Sequence, residues 1–299
     1  MKKYSRLLIV IIFILSLMLN GCVVLNLNPT APSNTNTEQA AADGILKVHF
    51  IDVGQGDAIL VQTPDGQNML VDAGENSYGE AVIDYLVFQG VKQLDIVVGT
   101  HPHADHIGGL DTVINYFPVK KIYLPKAINN TKSFRDVLAA VKDKGLKVTT
   151  AKAGVDLPLE GGGARFVAPV DDTYESLNNY SAVIKLDYGS QSFLLTGDAE
   201  AESEAQMLSS GAALKSTVLK AGHHGSRTST SAEFLRAAAP QYAVIMLGKD
   251  NPYNYPHSRT LEKLNKAGIK IYRTDQNGTI IFSTDGNHME ISEGGKKDD

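Results

Sequence analysis

From Ile45 onward, short apolar runs alternate with polar positions and are separated by turn residues, a pattern that reads as closely spaced strands. The segments ILKVHFIDVG, DAILVQTP and NMLVDAG follow one another, and Pro64-Asp65-Gly66 makes the turn between the last two. A helix is expected at about 79–89, then the apolar strand Leu94–Val98, a second helix at about 107–116 and a strand at 121–124. A third helix is expected from Ser133 to Lys144, with Ser133 as its cap and Gly145 as its stop. The second half continues in the same style without sequence repetition. Strands at 164–168, 182–188 and 191–196 lead to a helix at 199–210 and a strand at 217–221. A helix at 231–238, a strand at 242–247, a helix at 258–267 and a strand at 269–273 follow. The chain closes in a hairpin with the turn signals Gln276-Asn277-Gly278 and Thr284-Asp285-Gly286. Periodicity alone assigns an α/β or α+β protein.

The first 43 residues read differently. Met1–Arg6 is basic and Leu7–Leu19 is apolar, too short to span a bilayer comfortably but suited to a signal peptide over 1–21. Leu19-Asn20-Gly21-Cys22 resembles a bacterial lipobox with Cys22 as the lipidated residue; an ordinary signal peptide or an uncleaved anchor is the alternative. Residues 22–43, rich in Asn, Thr, Ala and Pro, read as a flexible tether, 44–292 as the folded domain and 293–299 as a polar tail. The expected location is extracytoplasmic, with the lipid as the only membrane attachment and no integral channel.

Composition narrows the chemistry. Cys22 is the only cysteine, so no intramolecular disulfide can form and the domain has no thiolate ligand. Loss of Lys2, Lys3 and Arg6 with a signal peptide would take the formal charge from −5 to −8, which does not favour global nucleic-acid binding. The charge is uneven, however. Lys120, Lys121, Lys126, Lys132, Arg135, Lys142, Lys144, Lys147 and Lys152 face only Asp136 and Asp143 between Val119 and Lys152. That stretch is either a solvated helix face with loop lysines or a basic lip that guides a polyanion.

The candidate chemistry is concentrated in Thr-His-Pro-His-Ala-Asp-His at 100–106, which closes the strand Leu94–Val98. His101, His103, Asp105 and His106 are the imidazoles and hard carboxylate that borderline divalent metals prefer. One ion rarely takes four such close ligands. His101 and His103 are therefore assigned to one ion, and Asp105 and His106 to a second. Gly108-Gly109 lets the next helix start close beside them.

This motif resembles the HxHxDH signature of the metallo-β-lactamase superfamily. The segments Asp-Val-Gly-Gln-Gly-Asp-Ala (52–58), Leu-Leu-Thr-Gly-Asp (194–198) and Leu-Lys-Ala-Gly-His-His-Gly-Ser (219–226) are similar to the metallo-hydrolase domain of ComEC-type DNA-uptake proteins. The resemblance spans about residues 45–285 and implies a four-layer αββα sandwich with metals in a cleft at one edge. It implies Asp198 as the bridge between two metals, with His223 as a further ligand. His224 would then face the cleft as an acid for the leaving oxygen, although the order of the two could be reversed. Asp105 and His224 are the expected catalytic residues. Two divalent ions are expected, Zn²⁺ first and Mn²⁺ as the alternative. The absent cysteine ligand argues against the antibiotic-degrading members.

Two departures stand out. Many superfamily members carry another histidine before the bridging aspartate, whereas Leu177–Val183 has none and offers Asn178 and Ser181 in the Asn-x-x-Ser that ComEC-type domains have there. The first metal would then be under-coordinated, or held partly by Asn178 or water. In place of the family's Gly-His-Pro, this chain has Asn254-Tyr255-Pro256, followed by His257, which either lines the cleft or caps the next helix. Ser226 and Arg227 read as phosphate ligands or as an N-cap region, and Asp52, Asp57 and Asp72 as loop supports or metal neighbours. His49 and His288 are expected on exposed strand faces without a role. The leading expectation is a binuclear hydrolase of phosphodiesters, with DNA as the substrate that the resemblance implies. A surface small-ester hydrolase, of phosphorylcholine-esterase or lactonase type, and a non-catalytic binding lipoprotein are the alternatives.

Overall fold

Strand β1 (Leu46–Phe50) sets the layering: Leu46, Val48 and Phe50 point to one side, Lys47 and His49 to the other. The computed structural model describes residues 44–294; the expected signal peptide, Cys22, the tether before Gly44 and residues 295–299 lie outside the described residues. β1 belongs to a sheet with β2 (Ile59–Gln62), β3 (Asn68–Val71), β4 (Leu94–Val98), β5 (Val119–Leu124) and β6 (Val148–Thr150). A second sheet contains β7 (Asp156–Leu157), β8 (Gly163–Phe166), β9 (Ile184–Tyr188), β10 (Gln191–Leu195), β11 (Val218–Lys220), β12 (Tyr242–Ile245) and β13 (Lys270–Arg273). The last hairpin, β14 (Ile280–Thr284) and β15 (Met289–Glu293), returns to the first sheet, whose order is β15-β14-β1-β2-β3-β4-β5-β6.

Three apolar layers hold these sheets between helices. Val48, Phe50, Val71 and Ile96 meet Phe166, Leu186, Phe193 and Val244 between the sheets. The outer face of the first sheet packs on α1 (Gly79–Phe88), α3 (Leu110–Tyr116) and α4 (Lys132–Asp143), which follow or flank the short α2 (Ala104–Ile107). The outer face of the second packs on α5 (Ala201–Ser209), α6 (Ala232–Ala238) and α7 (Ser258–Lys266). The result is the expected four-layer αββα sandwich.

Within each sheet one half is parallel. β3 to β6 run parallel, as do β10 to β13. In such arrangements the loops beyond the carboxyl ends of the strands are where sites assemble. The loops after β3, β4, β10, β11 and β12 carry Asp72, His101–His106, Asp198, His223–His224 and Tyr253–His257.

Several local expectations are corrected. The helix expected over 107–116 is two helices, because Gly108-Gly109 separates α2 from α3. Thr131, not Ser133, caps α4, its hydroxyl accepting from Phe134 N–H at 3.4 Å; the Ser133 hydroxyl instead donates to Asn76 Oδ1 at 2.7 Å. Gln276-Asn277-Gly278 is not a hairpin turn: it lies at the end of the short helix α8 (Thr274–Asn277), which carries the chain from the second sheet to the first. Strands β6 and β7 have too few residues to register as periodic runs. No helix among the described residues is long and apolar enough to cross a membrane.

His49 is also corrected. It is fully buried under α1, with Nδ1 2.8 Å from the Tyr85 hydroxyl. Burial, helped by Lys47, lowers its pKa to about 4. A histidine neutral in the fold and basic in the unfolded chain stabilises fully above pH 6.5 and loses that contribution as pH falls toward 4. Urea denaturation is therefore expected to show a loss of about 2 kcal/mol from this residue between pH 7 and 5. His49→Gln should flatten the profile by that amount; an unchanged pH slope would remove His49 as the cause.

Candidate metal centre

The site is built around Asp72, which follows β3 in the left-handed backbone region (φ 60°). Its Oδ1 accepts from Thr100 N–H at 2.8 Å, and its Oδ2 from the Thr100 hydroxyl at 2.6 Å. Oδ2 also lies 2.8 Å from His106 Nδ1, so the imidazole donates from that nitrogen and turns Nε2 inward. With its proton committed to Asp72, the Thr100 oxygen can accept from His101 Nδ1–H at 3.1 Å, which leaves His101 Nε2 free in the same way. Carboxylate-backed imidazoles of this kind are typical supports of metal ligands. His224 is held similarly, its Nδ1 donating to the Met246 carbonyl at 2.8 Å.

Glycines permit the close approach of these loops. A Cβ on Gly109 would lie 2.4 Å from the Ala73 carbonyl oxygen, and one on Gly56 would lie 2.2 Å from the Asp105 carbonyl oxygen. Only side-chain-free residues allow the loops after β1, β3 and β4 to meet there.

Asp198, just beyond β10, lies among these imidazoles. Its Oδ1 is 3.2 Å from His106 Nε2; its Oδ2 is 3.6 Å from His224 Nε2, 3.8 Å from His223 Nε2 and 3.9 Å from His101 Nε2. Asp105 Oδ2 reaches His224 Nε2 at 3.2 Å, and His101 Nε2 lies 3.0 Å from His103 Nδ1. Ligand atoms of Asp105, His106, Asp198 and His224 all fall within 4.8 Å of one another. Asp57, Asp72 and His106 form a second close group, but Asp72 is occupied by Thr100 and His106, and Asp57 by Lys220.

The expected residues therefore converge, with roles distributed by the local backbone. His223 and His224 both have positive φ, 49° and 50°, so neighbouring side chains that would diverge in a strand both turn toward the cluster. His224 is the buried one, placed among the ligand-type atoms, and His223 sits at the mouth. That placement differs from the expectation that His223 lies among the ligands and His224 faces the cleft. Asn178 lies beneath His223, its Nδ2 3.3 Å from His223 Nδ1. Ser181 is fully buried and accepts from Asp198 N–H at 3.0 Å; Ser226 is buried and bonded to Thr228 at 3.0 Å. Both are placed as supports rather than on an open face. His257 stands at the N-cap position of α7 without capping it through its side chain, and its Nδ1 accepts from Arg227 N–H at 3.0 Å. His288 is exposed and pairs with Asp285.

Lys220 was not anticipated. It is completely buried, with Nζ 2.7 Å from Asp57, 2.8 Å from the Gly197 carbonyl and 3.6 Å from Asp198. Its only sequence signal is a lysine inside the apolar run Val218–Ala221. Despite burial, Asp57 and Asp198 hold its pKa above the ordinary lysine value.

The donor set fits divalent metal. His106 Nε2, Asp198 Oδ1, Asp57 Oδ1 and Asn178 Oδ1 are buried without hydrogen-bond partners. Such lone pairs are costly unless a donor, an ordered water or a cation satisfies them, and a cation can satisfy several at once. The electrostatics point the same way. Against full burial, Asp198, Asp105 and Asp72 hold the His106 pKa well above the usual imidazole value. Against its own burial, Asp198 is held well below the usual carboxylate range by His106 and His224. His101 is pushed well below its ordinary value by burial and by His106. Two imidazoles and two carboxylates are a normal set for Zn²⁺ or Mn²⁺. His101 and His103 lie next to this group, His101 Nε2 being 3.9 Å from Asp198 Oδ2 and 3.0 Å from His103 Nδ1.

Residues 51–249 match the family model of the metallo-beta-lactamase superfamily. The chain belongs to that superfamily. Among curated proteins, ComE operon protein 3 of Bacillus subtilis is 35% identical over 79% of this chain and 33% of its own length. Recombination protein 2 of Haemophilus influenzae is 31% identical over 83% of this chain and 30% of its own length. Competence protein ComA of Neisseria gonorrhoeae is 30% identical over 82% and 33%. These are ComEC-type competence proteins, and the chain spans about a third of their length. Among solved structures, the metallo-β-lactamase fold protein YhfI of Bacillus subtilis is similar, with a TM-score of 0.54 at 14% identity, covering 80% of this chain and all of that one. The diiron β-hydroxylase CmlA of Streptomyces venezuelae has a TM-score of 0.52 at 12% identity, over 76% and 52%.

The superfamily fold implies divalent metal ions, and the cluster supplies matching ligands. The family's Gly-His-Pro departure is also accommodated. Asn254 takes the left-handed conformation (φ 56°), which asparagine tolerates better than most residues. Tyr255 takes the histidine's place, its hydroxyl 3.2 Å from His223 Nε2.

Asp72→Ala should cut metal affinity by about 10–100-fold, since it frees the His106 ring. Chelator competition would measure this; wild-type affinity would refute the orienting role. Lys220→Met is expected to destabilise the fold by about 3–5 kcal/mol, because Asp57 would be left buried without its partner. A denaturation midpoint close to wild type would show that Asp57 has another source of compensation.

Proposed function

We propose that this chain hydrolyses phosphodiester bonds, with DNA as substrate, outside the cytoplasmic membrane to which a lipid on Cys22 anchors it. The observation that carries the reading is the convergence of His101, His103, Asp105, His106, Asp198 and His224 on one buried cluster at a sandwich edge. The competence proteins that share its sequence direct the choice of DNA.

Two divalent ions bound by these residues would activate a water at neutral pH and offset charge on the phosphoryl oxygens. Asp105, His106, Asp198 and His224 would hold one ion; His101, His103 and Asp198 would hold the other, with Asn178 beside it. The remaining chemistry belongs to the mouth. Glu200 Oε1 lies 3.2 Å from His223 Nδ1 and directs the other nitrogen, Nε2, toward the cluster and the Tyr255 hydroxyl. His223 Nε2 is positioned to donate a proton to the departing oxygen. The Thr228 hydroxyl, 3.3 Å from Nδ1, can share the Nδ1 proton and in turn donates to Glu200 at 2.8 Å.

The basic stretch contributes less than its composition implies. Lys120, Lys132 and Lys152 pair with Asp95, Asp136 and Asp172. Lys126 is exposed but acts on Asp172 as well, so of this loop only Asn129 is tied to the histidine motif, its side chain donating to the Pro102 carbonyl at 3.0 Å. The acidic net charge favours a second reading, a small-ester hydrolase at the cell surface.

The test loads the full chain in turn with Zn²⁺ and Mn²⁺ and supplies plasmid or single-stranded DNA. Cleavage is expected with metal and not in His103→Ala with Asp105→Ala, while His223→Gln should lower kcat by about 10²–10⁴-fold with metal content retained. Intact DNA at full metal occupancy would exclude the nuclease reading and favour small esters. Nucleic-acid affinity should also fall steeply with salt, whereas small-ester turnover should not.

A further inference from the structure

The loop after β12, residues 248–257, is rigidly built yet holds an aromatic ring in solvent. Asp250 and Asn254 both have left-handed backbones, φ 55° and 56°. Aspartate and asparagine tolerate that region better than most residues, as tight turns require, and side-chain contacts then fix the loop. The Asn251 side chain does the holding. Its Nδ2 donates to the carbonyls of Gly248 at 3.1 Å and Tyr255 at 2.8 Å, and its Oδ1 accepts from Tyr255 N–H at 2.9 Å. The base of the loop is fixed to the loop after β1, where Gly248 N–H donates to Gln55 Oε1 at 3.3 Å.

This frame presents a ladder of rings that leads out of the metal centre. Tyr255 lies edge-on to His223 with centroids 5.5 Å apart, and Tyr253 stacks on Tyr255 with centroids 5.4 Å apart and an interplanar angle of 20°. Tyr255 is partly covered, but Tyr253 is 56% exposed. An exposed phenol ring on a pinned loop adds little to the core. It is, however, a preorganised platform for a second flat ring. The surrounding charge specifies what that ring is attached to. Lys249 precedes Tyr253 on the same loop, Arg259 is the second residue of α7, and Arg227 lies beside His257; all three are exposed, against the single exposed carboxylate of Asp250 on that loop. Flat rings joined by anions are what nucleic acids offer.

We infer that Tyr253 is a stacking platform for a nucleobase of single-stranded nucleic acid, adjacent to the nucleotide whose phosphate occupies the metal centre. The inference rests on the phosphodiesterase reading and specifies its substrate. In a duplex each base face is covered by its neighbours, so only an unpaired strand or frayed end can place a base on Tyr253. Lys249, Arg227 and Arg259 would follow the phosphates on either side.

The chain contains no tryptophan, so Tyr253→Trp installs a single reporter in the full-length protein. Its emission is read in chelator, where strands remain intact, against an oligothymidine, the same length of abasic strand and a blunt hairpin duplex. Quenching by oligothymidine, at concentrations where the abasic strand and the duplex have little effect, is the expected result. In parallel, Tyr253→Ala should weaken oligothymidine binding by about 10–100-fold, and Tyr253→Phe should restore it. Equal emission with all three ligands, or unchanged affinity in Tyr253→Ala, would overturn the stacking role. Neither result depends on catalysis, so a protein that cleaves DNA without quenching refutes the platform alone. A protein that cleaves no DNA when loaded with metal refutes the phosphodiesterase reading first.

Discussion

Four carboxylates, those of Asp57, Asp72, Asp105 and Asp198, converge where the folded chain supplies one buried ammonium, Lys220. Like charges this close, three of them almost inaccessible to solvent, cannot coexist without added positive charge. Protons on His106 and His224 are one answer, and their raised pKa values record that pull after the opposing cost of burial. Divalent cations would be a stronger answer, and they would also take up the lone pairs of His106 Nε2 and Asp198 Oδ1, which have no hydrogen-bond partner. The constraint explains why Asp72, Thr100, Ser181 and Met246 are spent on orientation: each holds a group that would otherwise turn away from repulsion or toward a neighbour.

The sandwich makes that convergence possible because its two sheets bring their parallel halves to a common edge. His101–His106 comes from the first sheet and Asp198, His223 and His224 from the second, and the backbone link Ala182 N–H to Thr100 O at 2.9 Å joins the two sides. The apolar layer between the sheets, from Val71 and Ile96 across to Phe193 and Val244, therefore supports the site directly. A change in sheet separation would shift Asp198 relative to His106. Function and core stability are linked through this geometry more than through any single hydrogen bond.

Around the buried cluster, the mouth is made of different material. His223, Glu200, Thr228 and Tyr255 are partly exposed and joined by hydrogen bonds or close polar contacts, and the Tyr253–His257 loop extends them outward. The inner group keeps most of the superfamily's ligand types but has Asn178 where many members have a histidine, and the rim departs as well, with Tyr255 in place of the histidine of the family's Gly-His-Pro. Substrate selection is most readily written into such a rim, because a substituted ring there alters what is recognised without disturbing charge compensation inside.

Much of this was legible along the chain. Local spacing decides which residues share a strand end, so the HxHxDH run marked one part of the candidate site, the family resemblance added Asp198 and the paired histidines, and apolar periodicity located most elements. What required tertiary structure were features set by groups distant in sequence. Nothing near His49 reveals that α1 covers it, and nothing near Lys220 reveals that Asp57, 163 positions earlier, needs its charge. The placement of His223 at the mouth and His224 in the interior was likewise hidden, because two successive left-handed residues cancel the alternation that a strand would impose. The sequence by itself determined the donor types and the layers; the tertiary structure decided which lone pairs face one another, because electrostatic compensation acts through space rather than along the chain.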